Sequence, residues 1–237
     1  MDSTVQDSPI ERLDDRAVGL LGLASIAVMV LGAMAAAMAY SGHTGEAYSP
    51  LNHFVSELGE VPTSRLAWVF NTAIVANAIG LTLCLVLLSR RLSGPFRPAI
   101  VVAGLVAGSA GALVGVFPMN VHAVHRPIAF AYFLTCWIVV AIFSAWLLLA
   151  RRQGFPRLLL VPGAIQIAAS IAFVVAYAGY RPADPNAPIL DRPDVWTVTW
   201  LEWAALLTML AWFACVSLVL VRRRTPEMQE PAPGAGS

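Results

Sequence analysis

Lysine is absent from this sequence, and charge of either sign is scarce: charged residues fill 12% of the 237 positions, and all fifteen basic residues are arginine. That is about half the charge an ordinary soluble domain carries on its surface. A net charge of +1 leaves no basic excess for holding nucleic acid. Cysteine is equally sparse. Cys84, Cys136 and Cys215 each lie inside an apolar run, without a C-x-x-C spacing, which excludes a disulfide framework and a thiolate metal site and leaves small buried hydrophobes. No glycine-rich nucleotide motif, P-loop or kinase signature is present. The missing lysine, beside abundant alanine and glycine, points to a GC-rich bacterial genome.

What the chain has in quantity is apolar length. Hydrophobic residues make up 58% of it and the mean hydropathy is +0.72. A bilayer core needs about twenty apolar residues of helix, and six runs of that size stand between charged or Pro/Gly-containing breaks: 17–40, 67–89, 98–118, 128–150, 158–179 and 196–221. The expected fold is an all-α integral membrane protein, a six-helix transmembrane bundle over 17–221, with a cytoplasmic N-terminal tail 1–16 and a disordered cytoplasmic C-terminal tail 222–237. The first run is too long for a signal-peptide core and follows an acidic segment, Asp2 to Asp15, so it reads as a span. In the third, Gly104, Gly108, Gly111 and Gly115 form small-xxx-small pairs, which let helices approach closely and place that helix centrally.

Arginine placement orients the spans. Eleven arginines, from Arg12 and Arg16 through Arg90, Arg91, Arg97, Arg151, Arg152 and Arg157 to Arg222, Arg223 and Arg224, fall on one side. Only Arg65, Arg126, Arg181 and Arg192 fall on the other. The positive-inside rule makes the first side cytoplasmic, so both termini are expected in the cytoplasm of a bacterial cell whose plasma membrane the chain crosses.

On that orientation every histidine lies outward. The first outer loop, Tyr48 to Glu60, carries Ser49-Pro50 as a helix start and Gly59 as a helix stop. It predicts a short outer interfacial helix over 49–59. Leu51, Phe54, Val55 and Leu58 share one face, and His53, Ser56, Glu57 and Glu60 the other. Spacing alone reads the polar stripe as a solvated face; the alternative makes it one wall of a site. In the loop after the third span, Asn120 precedes His122-x-x-His125, whose imidazoles share a helical face if a turn forms. Such a pair suits either zinc or a structural hydrogen-bonded contact; it lacks the glutamate of H-E-x-x-H. Glu202 sits about two turns into the sixth span, where a carboxylate is expensive and faces the bundle interior with a partner, expected among Asn71, Asn77, Gln166 or a histidine. It suits a proton carrier or general acid as well as a structural glutamate. The Pro-rich segment 180–194 is a candidate lid.

Ser49-Pro50 with Ser56-Glu57-Leu58-Gly59, then Gly115-Val116-Phe117-Pro118 with His125, resemble the bacterial domain-of-unknown-function family numbered 998, which looks related to the DRAM-like six-helix membrane proteins. The resemblance spans roughly 17–221 and implies a six-helix bundle, with Ser56, Glu57, Gly59, Pro118 and His125 as family-pattern positions. It implies no reaction; its distant relatives are associated with lipid handling and trafficking.

Three functions fit these residues. The first is an outward polar pocket of His53, Ser56, Glu57, Asn120, His122, His125 and Glu202 that binds a lipid headgroup, a small ligand or a membrane-protein partner, the partner including a second copy of the chain. The second is a membrane hydrolase or transferase acting on a lipid, with zinc on His53, His122 and His125 and with Glu57 or Glu202 as acid/base. It resembles the seven-helix ceramidase-like hydrolases in outline but lacks their extra helix. The third is a proton-coupled transporter using Glu202, although no inverted repeat supports it.

Overall fold

The structure, a computed structural model, describes residues 9–61, 63–149, 154–180 and 189–223. Six helices carry it: α1 (Pro9–Met38), α2 (Ala67–Leu88), α3 (Phe96–Val116), α4 (His122–Leu149), α5 (Leu160–Gly179) and α6 (Thr197–Arg222). All six contain stretches long and apolar enough to cross a membrane. Two begin more than a turn earlier than hydropathy places them. α1 reaches into the expected N-terminal tail from Pro9, a residue whose fixed φ and missing N–H suit a first helical position. α4 starts at His122 because Pro127 removes only one intrahelical donor near its N-terminal end. The C-terminal tail beyond Arg223 lies outside the described residues.

Each helix packs on its neighbours in chain order, and α6 returns to α1, so the six make a closed ring. α3 is therefore not central. Its glycines are a packing edge: a Cβ on Gly104, Gly108 or Gly115 would collide with Leu85, Thr82 or the Asn71 carbonyl oxygen of α2. Its other side exposes Val102, Leu105, Val106 and Leu113, as a lipid-facing surface does.

The ring is pinned at both ends. At the arginine-rich end, buried Asp15 of α1 accepts from Arg91 Nε at 3.1 Å and from Arg223 Nη1 at 2.8 Å, and Arg223 also lies 4.4 Å above the Phe155 ring. Beneath it Phe143, Trp146, Phe155 and Trp212 pack in edge-to-face and tilted pairs, ring centroids 5.4–5.8 Å apart. At the opposite end the α1–α2 connection folds inward. Tyr40 and Ser64 pair as an isolated bridge, Ser41 N–H donates to the Thr63 carbonyl at 2.9 Å, and the chain between them descends into the bundle mouth as a short 3-10 helix, Val55–Gly59. A larger residue at Gly115 would drive α3 off the α2 backbone. Gly115→Leu is expected to cost about 1–3 kcal/mol, read as a lowered thermal unfolding midpoint in detergent; an unchanged midpoint would rule out the close α2–α3 contact.

Candidate functional site at the bundle mouth

The expected helix over 49–59 is shorter than its caps imply, and its polarity is inverted. Leu51 is 50% exposed, whereas Glu57 is 1% and His53 2% exposed, with Glu60 also buried. The solvated-face reading is overturned. Phe54, Val55 and Leu58 are buried too, so the segment is enclosed on all sides and acts as a plug.

An irregular segment in that position must find partners for its backbone groups, and the elements around it supply them. Asn71 Nδ2 donates to the Gly59 carbonyl at 3.0 Å, Tyr48 hydroxyl to the Phe54 carbonyl at 2.9 Å, and Trp196 N–H to the Leu51 carbonyl at 2.8 Å. Val55 N–H donates to Glu202 Oε2 at 2.6 Å. That bond is the partner of the buried Glu202. Asn71, Asn77 and Gln166 are engaged elsewhere, on the Gly59 carbonyl, the Ser25 carbonyl and the Ser170 hydroxyl.

Two carboxylates thus face the mouth in different surroundings. Glu57 is saturated: Arg192 Nη1 reaches both its oxygens at 3.0 and 3.2 Å, the Tyr40 hydroxyl donates at 3.0 Å and Phe54 N–H at 2.8 Å. Burial, reinforced by the Glu57 charge, pushes the Tyr40 phenol well above its ordinary range, which keeps it a donor. Arg192 also donates to the carbonyls of Asn52 and Ile189, so it ties the expected lid segment to the plug; residues 181–188 of that segment lie outside the described residues.

Glu202 has the Val55 N–H and a cavity. The cavity leaves about 20 Å³ for the centre of a water-sized group and is lined by Glu202, His125, Ser56 and Arg126 among Phe54, Phe130, Phe173 and Tyr177. His125 is 4% exposed; its Nδ1 lies 2.8 Å from the Phe117 carbonyl, and its Nε2 is buried without a hydrogen-bond partner among the described residues. A carbonyl only accepts, so the proton is assigned to Nδ1 and Nε2 is a bare acceptor. Ser56 hydroxyl donates to Met119 Sδ at 3.3 Å.

A family model for proteins of unknown function, DUF998, matches residues 25–219. The chain belongs to the DUF998 family. No curated protein and no solved structure matches it.

Of the residues singled out in this DUF998 protein, Ser56, His125 and Glu202 meet in one cavity. Glu57 lies on the same plug, turned to Arg192. Asn120 accepts from Val61 N–H at 3.4 Å and joins the α3–α4 turn to the α1–α2 connection. His122 is buried in the first turn of α4. His53 packs edge-on to Tyr40, ring centroids 5.2 Å apart, with Nδ1 against the Ser49 backbone at 3.1–3.2 Å and Nε2 4.0 Å from Glu46. No three His, Cys, Asp or Glu side chains gather into a group able to hold a metal ion among the described residues. His53, His122 and His125 therefore do not assemble the zinc shell their types suggest. Arg192, Tyr40 and the aromatic lining carry no local signal; Arg192 is 135 residues from Glu57.

Removing Arg192 strands a buried carboxylate. Arg192→Ala is expected to cost about 3–5 kcal/mol and Arg192→Ala with Glu57→Gln distinctly less; equal losses in thermal unfolding would show that the pair is not coupled. Burial also holds the His53 imidazole below its ordinary 6.5, against the opposing pull of Glu57. The fold prefers the neutral ring, so this stability is present above pH 6.5 and is lost as pH falls towards the depressed value. Between pH 7.5 and 5 the unfolding midpoint of the wild type should fall more steeply than that of His53→Gln; parallel slopes would mean that His53 titrates alike in the folded and unfolded chain.

Proposed function

We propose that this DUF998 protein is a binding protein of the cell membrane, its plugged mouth turned away from the cytoplasm and holding the polar part of a membrane ligand. The orientation rests on the eleven arginines at the other end, which the positive-inside rule assigns to the cytoplasm along with both termini. The binding role rests on one observation. The buried Glu202 and His125, whose Nε2 has no hydrogen-bond partner among the described residues, line the same aromatic-walled cavity, and polar groups are not left inside a membrane bundle without a return. A purely structural glutamate would be saturated as Glu57 is. Binding needs no metal shell, which separates this reading from the zinc hydrolase.

The test is to fill the cavity. Ala129 lines it without making a side-chain hydrogen bond. Protein extracted in native-lipid nanodiscs should retain one species in near-stoichiometric amount, and Ala129→Trp should lose at least tenfold of it while keeping its unfolding midpoint. Extracted lipid of unchanged composition after incubation would distinguish binding from turnover. Identical retention profiles in wild type and Ala129→Trp would overturn the proposal.

A further inference from the structure

The donors and acceptors around this cavity are unbalanced. Glu202 presents carboxylate lone pairs beyond the one taken by Val55 N–H. His125 presents the bare Nε2, because Nδ1 is committed to the Phe117 carbonyl. Ser56, which lines the cavity, has spent its proton on Met119 Sδ, so its oxygen is left as an acceptor. Three side chains thus offer acceptors to one small space. The complementary group has three donors, no acceptor and positive charge, and that is a primary ammonium.

Size and walls agree. The room for one water-sized centre fits –NH3⁺, whereas a trimethylammonium is larger and has no N–H to give. Phe54, Phe130, Phe173 and Tyr177 present aromatic surface to it, and a cation beside such rings is attracted by their faces. The remaining lining charge is Arg126 of α4, whose guanidinium is turned over the Tyr180 ring, 5.9 Å from its centroid. Arg126 is half-buried in the cavity wall, a position suited to an anion carried a few bonds from the ammonium.

We propose that the cavity is a headgroup site for a primary amine joined by a short linker to a phosphate ester, the ammonium among Glu202, His125 and Ser56 and the phosphate on Arg126. The inference rests on the binding role argued above and names its ligand class. A phosphoethanolamine head has this chemistry, whether carried on a diacyl lipid or on soluble glycerophosphoethanolamine.

The experiment uses the full chain in nanodiscs with equal phosphatidylethanolamine, phosphatidylcholine and phosphatidylglycerol, and native mass spectrometry of the lipid that stays bound after release. Wild type should keep phosphatidylethanolamine over phosphatidylcholine by roughly tenfold or more, the scale of losing charge-assisted hydrogen bonds. Glu202→Gln, which retains an acceptor for Val55 N–H, should abolish that preference at an unchanged unfolding midpoint. His125→Phe, a variant that removes the Nε2 acceptor, serves the same purpose if Glu202→Gln fails to fold. Arg126→Gln should weaken phosphatidylethanolamine retention without creating a preference for phosphatidylcholine. Competition by glycerophosphoethanolamine would assign the site to the soluble head, and its failure to the lipid; either supports the ammonium site. Preferential retention of phosphatidylcholine or phosphatidylglycerol that Ala129→Trp removes would overturn the ammonium assignment and leave the binding role standing. Retention of all three lipids alike, unaffected by Ala129→Trp, would overturn both.

Discussion

Everything at the mouth of this bundle follows from the cost of an unpaired backbone group away from water. A helix satisfies its own amides and carbonyls; a 3-10 turn entered from an extended strand does not. Once the α1–α2 connection folds inward, the free groups of residues 51–59 need partners from the surrounding elements, and Asn71, Tyr48, Trp196, Arg192 and Glu202 meet them one by one. The plug is thus held by directional bonds to the second and sixth helices, to Tyr48 of the same connection and to the segment that precedes α6. Apolar packing of Phe54, Val55 and Leu58 fills the space between, but contacts of that kind would tolerate a slide along the helices that the hydrogen bonds forbid.

Within that frame the two glutamates divide the work. Glu57 receives four hydrogen bonds from three different residues, and a carboxylate so saturated has nothing left with which to meet a ligand. Glu202 is also buried but has the Val55 amide and a small cavity beside it. The difference is legible only after folding. Sequence places both acids outward, and it singles out Glu202 by depth alone, since nothing local distinguishes a glutamate that is paired from one that is not.

The same limit explains what the sequence conveyed and what it withheld. The six spans and their order were readable because lipid imposes a length and a composition on each run independently of its neighbours. The glycine stripe of α3 was readable as a packing edge, though which helix it meets required the ring. The polarity of 49–60 was misread for a specific reason: a polar stripe at helical spacing signals water only where water is the nearest polar medium. Here Arg192, Tyr40 and His43 supplied it, His43 reaching Glu60 at 3.4 Å, and the stripe turned inward while Leu51 turned out. Arginine 192 gave no local hint, because its partner is set by topology and not by spacing.

That topology depends on closing the ring. Neighbouring helices are adjacent in the chain, whereas α1 and α6 are separated by most of it and must recognise each other. Small residues give them the approach. A Cβ on Gly19 would stand 2.5 Å from the Ser217 carbonyl oxygen, and one on Gly22 would overlap the Ser217 hydroxyl, so the two helices are in close contact over about one turn. Four residues before Gly19, Asp15 holds Arg223 from the end of α6 and Arg91 from just beyond α2, which converts a sliding contact into a fixed register. At the far end of the same two helices Tyr48 accepts from Trp203 at 2.9 Å and donates to the plug. The height at which Glu202 meets Val55 is therefore set at the far ends of α1 and α6, by a glycine contact and an ion pair on the opposite side of the membrane. A site built from a loop gains its precision from the helices that close around it.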